Sequence, residues 1–136
     1  SVTVYAEAVL NDPVADVGHP AFSKLFVQTE AAADGLGLIA WRRLRSVSDE
    51  PLFVVAKLVG AGEAAGVESD RAQFIGRGRS LATPRAMMPH VTLSGSAGNV
   101  LDPVLAIRRT VMIPPGQSET LLWLIGAGAD RAEAES

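Results

Sequence analysis

The sequence has no cysteine among its 136 residues. That absence excludes disulfide bonds, thiolate zinc sites and thiol nucleophiles, and it is typical of proteins from a reducing compartment. Histidine is also scarce, and neither His19 nor His90 has the spacing of a metal site or a catalytic triad. We therefore expect no catalytic residue, no metal site and no cofactor on this chain.

Long apolar runs and an excess of basic residues are missing as well. The longest apolar run, residues 121–129, is about half the length of a membrane-spanning helix, so no direct membrane insertion is expected. The net charge of −3 argues against a nucleic-acid partner, which normally requires a basic surface. The length suits one domain with a single core, over residues 1–136.

Alternation of apolar and polar residues is the main structural signal. In residues 1–10 it places Val2, Val4, Ala6 and Ala8 on one face of a predicted strand. Further strands are predicted at residues 36–45, 52–60, 104–113 and 119–128, and we expect Trp41 and Trp123 within them to lie in the core. The PPGQ sequence at 114–117 predicts that the last two strands form a hairpin. An all-β fold, an antiparallel β-sandwich, follows.

Three other segments have weaker signals. Residues 19–35 favour an extended run over a helical turn around Phe22 to Leu25. The small residues of 60–69 predict a flexible loop, and residues 130–136 are typical of the start of a helix.

Residues 68–79, ESDRAQFIGRGR, form the most unusual segment. Three arginines lie in it, and no acidic residue occurs from Arg71 to Leu101. The segment either binds an anion or polar ligand, or its arginines pair with carboxylates. Pairing of Glu68 and Asp70 with these arginines is favoured over acid–base catalysis, and the glycines of the GRG sequence let the backbone turn.

Several blocks together resemble a known family: YAEAVL at 5–10, HPAFSKLFVQTE at 19–30, ESDRAQFIGRGR, LSGSAGNVLDPVLAIRRTV at 93–111, and PPG at 114–116. They are similar to the non-catalytic β-sandwich module of the inverting disaccharide phosphorylases, such as cellobiose and chitobiose phosphorylase. The similarity is greater to the related modules of the cyclic β-1,2-glucan synthases, which are large bacterial inner-membrane proteins. The blocks cover nearly the whole chain, and Ser69 stands where a threonine is usual.

The resemblance implies a galactose-mutarotase-like supersandwich, here in part, followed in the family by an (α/α)₆ barrel that carries the catalytic carboxylate. This sequence contains no such barrel. It is therefore expected to be a fragment of a larger multidomain protein, on the cytoplasmic side of a bacterial inner membrane. The implied role is to scaffold the catalytic barrel domain in glucan synthesis or phosphorolysis and to contact a β-glucan or oligosaccharide.

The resemblance also implies a site. It places Asp70, Arg71, Arg77 and Arg79 at the rim of a saccharide or phosphate site, where the planar guanidinium suits bidentate hydrogen bonding. The alternative is that the arginines form salt bridges that fix the sandwich against its neighbouring domain. Two other functions stay open: a stand-alone carbohydrate-binding module with an aromatic platform, and an assembly domain that forms a homo-oligomer through its sheet edges.

Overall fold

Two antiparallel sheets face each other in the computed structural model, which describes residues 1–47 and 49–136. Sheet A has the strand order β1-β6-β5, and sheet B has the order β2-β3-β4-β7. The predicted all-β antiparallel sandwich is confirmed. The strands are β1 (Val2–Glu7), β2 (Val27–Ala31), β3 (Gly37–Arg42), β4 (Phe53–Gly60), β5 (Glu63–Asp70), β6 (Pro103–Thr110) and β7 (Leu121–Gly128).

The helices are short and lie in the connections. They are α1 (Pro13–Gly18), α2 (Pro20–Lys24), α3 (Arg71–Ile75), α4 (Arg131–Glu135) and a 3₁₀ turn (Arg85–Met87). Residues 19–35 contain both predicted alternatives, a helical turn and an extended strand. The predicted helix at 130–136 is present as α4, and it begins at Asp130, whose carboxylate accepts a hydrogen bond from the Glu133 amide at 2.9 Å.

The main core fills the space between the sheets. Leu38, Leu58 and Ile107 are buried there, and Val4 and Ala6 of β1 pack against them, as the alternation in residues 1–10 predicts. Each such side chain contributes about 1.5–3 kcal/mol to folding when it is fully buried.

Each sheet also has a small core on its outer face. On sheet A, α3 covers Ala106 with Phe74 and Ile75, and the Phe74 ring lies 4.8 Å from that of Tyr5. On sheet B, Ala134 of α4 covers Ile39 and Val55, next to Trp41 and Phe53, whose rings stack 6.0 Å apart. Trp41 is thus half-buried on an outer face rather than placed between the sheets.

Two predictions from the sequence are wrong. Residues 104–128 are not a hairpin, because β6 pairs with β1 and β5 in sheet A whereas β7 pairs with β4 in sheet B. The ten residues 111–120 cross from one sheet to the other. Residues 60–69 are not a flexible loop, because Glu63–Asp70 forms β5 at the edge of sheet A.

The prediction that Trp123 lies in the core is also wrong. Trp123 is opposite the buried Leu58 in the β4–β7 ladder, so it is on the inner face of sheet B, but it is 43% exposed. Ile125, opposite the buried Ala56, is 57% exposed. At Trp123 and Ile125 the inner face of β7 is therefore not covered by sheet A, whereas Leu121 of the same strand packs against the main core.

Residues 94–99 close the opposite side of the sandwich. The Gly95 amide donates to the Val67 carbonyl at 2.9 Å, on the edge strand β5 of sheet A. A few residues on, the Thr29 amide of edge strand β2 donates to the Gly98 carbonyl at 3.0 Å. This segment, which we call the closing loop, joins the β5 edge of one sheet to the β2 edge of the other.

Candidate functional site

The segment 68–79 starts as the end of β5 and continues as α3. Asp70 is the N-cap of that helix, and its Oδ1 accepts a hydrogen bond from the Ala72 amide at 2.8 Å. The helix ends at Gly76, whose amide donates to the Ala72 carbonyl. The predicted site residue Asp70 is therefore held by the local backbone, and any role in ligand binding stays a prediction.

Arg71 belongs to a ring of four alternating charges. Its Nε lies 2.9 Å from Glu7 Oε1, and its Nη1 lies 3.7 Å from Asp102 Oδ2. Lys24 completes the ring, with Nζ 2.7 Å from Asp102 Oδ1 and 3.9 Å from Glu7 Oε2. The ring ties β1, α2 and α3 to the residue before β6, so Arg71 has a structural role in the fold.

The pKa shifts of Glu7, Arg71 and the neighbouring Tyr5 follow from those contacts. Burial raises the pKa of Glu7, but hydrogen bonds from Arg71 and Tyr5 and the nearby positive charges outweigh it, so the pKa is lowered overall. The hydrogen bond to Glu7 raises the pKa of Arg71. Burial, and then the hydrogen bond to Glu7, raise the pKa of Tyr5. The ionised carboxylate and the neutral phenol are both favoured in the folded domain.

Arg77 and Arg79 differ from Arg71, because both are exposed and neither forms an ion pair within the described part of the chain. Arg79 Nη1 donates to the Thr83 carbonyl at 3.2 Å. Arg77 lines a cavity of about 440 Å³ together with Arg71, Ile75 and Asp102. The structure thus brings Arg71 and Arg77 to one cavity and leaves Asp70 and Arg79 outside its lining.

The two glycines of the GRG sequence set the direction of these arginines. Gly76 has φ 82° and Gly78 has φ 72°, in the region that side chains other than glycine rarely adopt. At Gly76 a Cβ would also lie 2.7 Å from the Cβ of Arg85, so the backbone approaches Arg85 closely. The predicted role of these glycines in turning the backbone is confirmed.

Neither Glu68 nor Asp70 forms an ion pair with an arginine of the described segment 68–79, so that prediction is wrong. Glu68 is only 2% exposed, and its carboxylate accepts hydrogen bonds from the Ser94 hydroxyl at 2.5 Å, from the Ser96 hydroxyl and from the Asp70 amide at 3.0 Å. The Ser94 amide also donates to it, at 3.2 Å. Glu68 therefore fastens the closing loop to β5, and its neighbour Ser69 is fully buried.

Arg108 is a structural residue of this region that the sequence pattern did not reveal. It is buried in β6, and it donates to the Val91 carbonyl at 2.6 Å, to the Ala86 carbonyl and to Thr3 Oγ1 at 2.8 Å. These bonds hold residues 85–91, the loop against which Gly76 packs, on sheet A. An arginine inside the apolar run VLAIRRTV was the available signal, because a buried cation must find acceptors.

The His, Asp and Glu side chains of the described residues are not clustered as metal ligands. The described residues contain no group of three or more His, Asp or Glu side chains that are placed to hold a metal ion. His90 lies in a loop, with φ 65°, and His19 lies between α1 and α2. Within 1–47 and 49–136, no helix is long and apolar enough to cross a membrane.

Comparison with known families decides where the chain belongs. A family model described as glycosyl hydrolase 94, supersandwich domain, matches residues 1–136. The chain is a glycosyl hydrolase 94 supersandwich domain. It is also 42% identical, over 140 residues, to the cyclic beta-(1,2)-glucan synthase NdvB of Rhizobium meliloti (strain 1021). The match covers 96% of this supersandwich domain and 5% of that relative, so the domain spans a small part of the relative's length.

Proposed function

We propose that this supersandwich domain is a non-catalytic part of a larger carbohydrate-active enzyme of glucan synthesis or phosphorolysis. The family match and the identity to a protein named as a cyclic β-(1,2)-glucan synthase support this assignment. Its partner is the catalytic domain of the same protein, which it holds in position. The location expected for the parent protein, the cytoplasmic side of a bacterial inner membrane, belongs to the same proposal.

The domain also contacts saccharide through Arg77 and Arg79, and this part of the proposal rests on one observation. Both side chains are exposed, and neither has a carboxylate partner within 1–47 and 49–136. Arg71, by contrast, forms ion pairs with Glu7 and Asp102. Arg77 lines a cavity and Arg79 lies two residues further on, and guanidinium groups without a carboxylate partner can donate hydrogen bonds to vicinal hydroxyls or to phosphate.

The test is the double change Arg77→Gln and Arg79→Gln in the parent enzyme. It is expected to lower kcat/KM by about tenfold, which is the size of one lost hydrogen bond to a charged group, and to leave the melting temperature nearly unchanged. Lys57→Gln with Arg131→Gln is the matched control, because it removes the same charge from two surface ion pairs, with Asp34 and Glu30. Equal losses in both double variants would contradict saccharide contact by the loop.

A second candidate function is assembly through the free side of the sandwich. β1 and β7 are the outermost strands there, and Leu122, Trp123, Leu124 and Ile125 of β7 are all large, apolar and exposed. An uncharged edge strand of this kind pairs readily with another strand. Light scattering on the purified chain should show self-association that Leu124→Lys weakens, and a monomer at high concentration would contradict this function.

A further inference from the structure

A second group of arginines lies where β3 ends, outside the segment 68–79. The guanidinium carbons of Arg42, Arg43 and Arg45 lie 5.4, 6.0 and 5.1 Å from the centre of the Phe26 ring. Arg45 is also 5.3 Å from the ring centre of Phe22. We call these five residues the arginine–phenylalanine cluster. All three positive charges therefore lie close to the same aromatic ring, that of Phe26.

Aromatic faces and one backbone carbonyl hold these cations. The rings of Phe22 and Phe26 meet edge to face with centres 5.4 Å apart, so both present surface to the guanidinium groups. Arg42 Nη1 donates to the carbonyl of Ser23 at 2.7 Å, and Ser23 is only 1% exposed. The position of Arg42 is therefore fixed by the fold.

Three carboxylates, those of Asp12, Asp49 and Glu50, lie near the cluster. None of its three arginines forms an ion pair with any carboxylate in the described residues. Asp12 Oδ1 accepts a hydrogen bond from the Val14 amide at 2.8 Å, and Asp49 Oδ2 accepts one from the backbone amide of Arg45 at 2.8 Å. Glu50 lies on the same surface and also forms no ion pair there. The positive charges remain without a direct counterion.

Mutual repulsion within the cluster is visible in the titration of Arg42. Burial lowers the pKa of Arg42, and the charge of Arg45 lowers it further, while Asp49 acts in the opposite direction. Arginine keeps its proton despite such shifts. An added anion would therefore relieve repulsion between groups that cannot lose their charge.

The cluster borders a cavity large enough for such an anion. The cavity has a volume of about 640 Å³, and its lining includes all three arginines and Asn11 as well as the carboxylates of Asp12, Asp49 and Glu50. It shares no lining residue with the cavity beside Arg77. The two arginine groups therefore form separate surfaces of the domain.

We propose that the arginine–phenylalanine cluster is a binding site for a phosphate group, carried either by a small soluble molecule or by a lipid headgroup. A phosphate group offers negative charge and several acceptor oxygens to the three guanidinium groups, whereas a neutral sugar supplies no compensating charge. The site is distinct from the saccharide contact proposed for Arg77 and Arg79.

The test is a titration of the domain with inorganic phosphate at low ionic strength, followed by NMR. Saturable shifts are expected at the amides of residues 42–46. Arg43→Gln with Arg45→Gln should weaken the affinity by about tenfold or more, because charge-assisted hydrogen bonds are lost. Lys57→Gln with Arg131→Gln removes the same charge elsewhere and should change the affinity by less than about twofold. Both altered arginines are exposed, so the double variant should still fold. If it does not fold, the single variant Arg45→Gln is used for the same titration.

A second arm identifies the source of the phosphate group. Vesicles of phosphatidylcholine with phosphatidylglycerol are compared with vesicles of phosphatidylcholine alone. Binding of the anionic vesicles without saturable binding of free phosphate, lost in the Arg43/Arg45 variant, assigns the site to lipid headgroups. Saturable binding of free phosphate assigns it to a soluble ligand. If neither free phosphate nor the anionic vesicles bind, the proposal is overturned. It is also overturned if the Lys57/Arg131 control loses as much affinity as the Arg43/Arg45 variant.

Discussion

Arg108 and Arg109 are neighbours in β6 and direct their guanidinium groups to opposite faces of sheet A. Arg108 holds the loop 85–91 on the outer face, through the carbonyls of Ala86 and Val91. Arg109 reaches the turn between β4 and β5, where it donates to the Gly60 carbonyl at 2.9 Å and to the Gly62 carbonyl at 2.6 Å. Two consecutive arginines thus hold two separate loops, each through hydrogen bonds from the guanidinium group to backbone carbonyls.

Replacing each arginine by methionine should therefore loosen a different loop. Either change should lower the free energy of unfolding by roughly 1–3 kcal/mol, because buried carbonyl groups lose their donors. Hydrogen exchange should become faster in residues 85–91 for Arg108→Met and in residues 58–62 for Arg109→Met. Each variant is the control for the other, and faster exchange in the same loop for both would contradict separate roles.

Glu68→Gln should loosen the closing loop. The amide of glutamine replaces one acceptor oxygen by a donor, so hydroxyl and amide donors from Ser94 and Ser96 lose their partner. The expected cost is about 1–3 kcal/mol of folding free energy, with faster exchange in residues 94–99. Glu63→Gln, at an exposed position of the same strand, should leave both quantities unchanged. An unaltered melting temperature for Glu68→Gln would show that the carboxylate is dispensable.

Glu7 should make the stability of the domain depend on acid pH. The pKa of Glu7 is lowered from its ordinary value of 4.5 in the folded state, so its contribution is present above that value. It is lost as the pH falls through the folded pKa. Glu7→Gln should flatten this part of a plot of melting temperature against pH. Asp34→Asn, which removes a carboxylate whose pKa is lowered by Lys57, should flatten it independently, and non-additive effects would argue against this account.

Gly76→Ala should damage the arginine segment more than Gly78→Ala does. Both glycines have positive φ, and backbone conformations of this kind cost other residues roughly 1–3 kcal/mol. A Cβ at Gly76 would in addition meet Arg85, whereas at Gly78 no atom lies within 4 Å. Thermal unfolding of the two variants measures the difference. Equal melting temperatures would show that the contact with Arg85 adjusts without cost.

The strands that a local pattern could predict are those with clear alternation or strong β-propensity. Residues 1–10 predict β1 because Val4 and Ala6 face the core while Tyr5 faces outward. Side chains that alternate between two faces give the sequence an apolar–polar pattern with a period of two residues. β5 could not be predicted in this way. Its small residues and Gly66, with φ 125°, suit a loop, and it becomes a strand because β6 offers it a partner across a bulge.

Strand pairing and the candidate site depend on contacts distant in sequence. The predicted hairpin of β6 and β7 failed because two apolar strands and a turn do not specify that β4 is the partner of β7. The arginine segment was found from its composition, but the pattern could not separate Arg71, which pairs with Glu7, 64 residues away, from the exposed Arg77. The hydroxyl partners of Glu68 lie 26 and 28 residues further on.

The closing loop has a consequence for the size of any assembly. It bonds to the β5 edge at Val67 and Ser69 and to the β2 edge at Thr29, so β1 and β7, the outer strands without such a partner, lie on the other flank of each molecule. A contact that uses this flank in two copies is isologous, and it consumes the free edges of both partners. We therefore expect self-association by this route to stop at a closed pair with twofold symmetry rather than to propagate into a fibre.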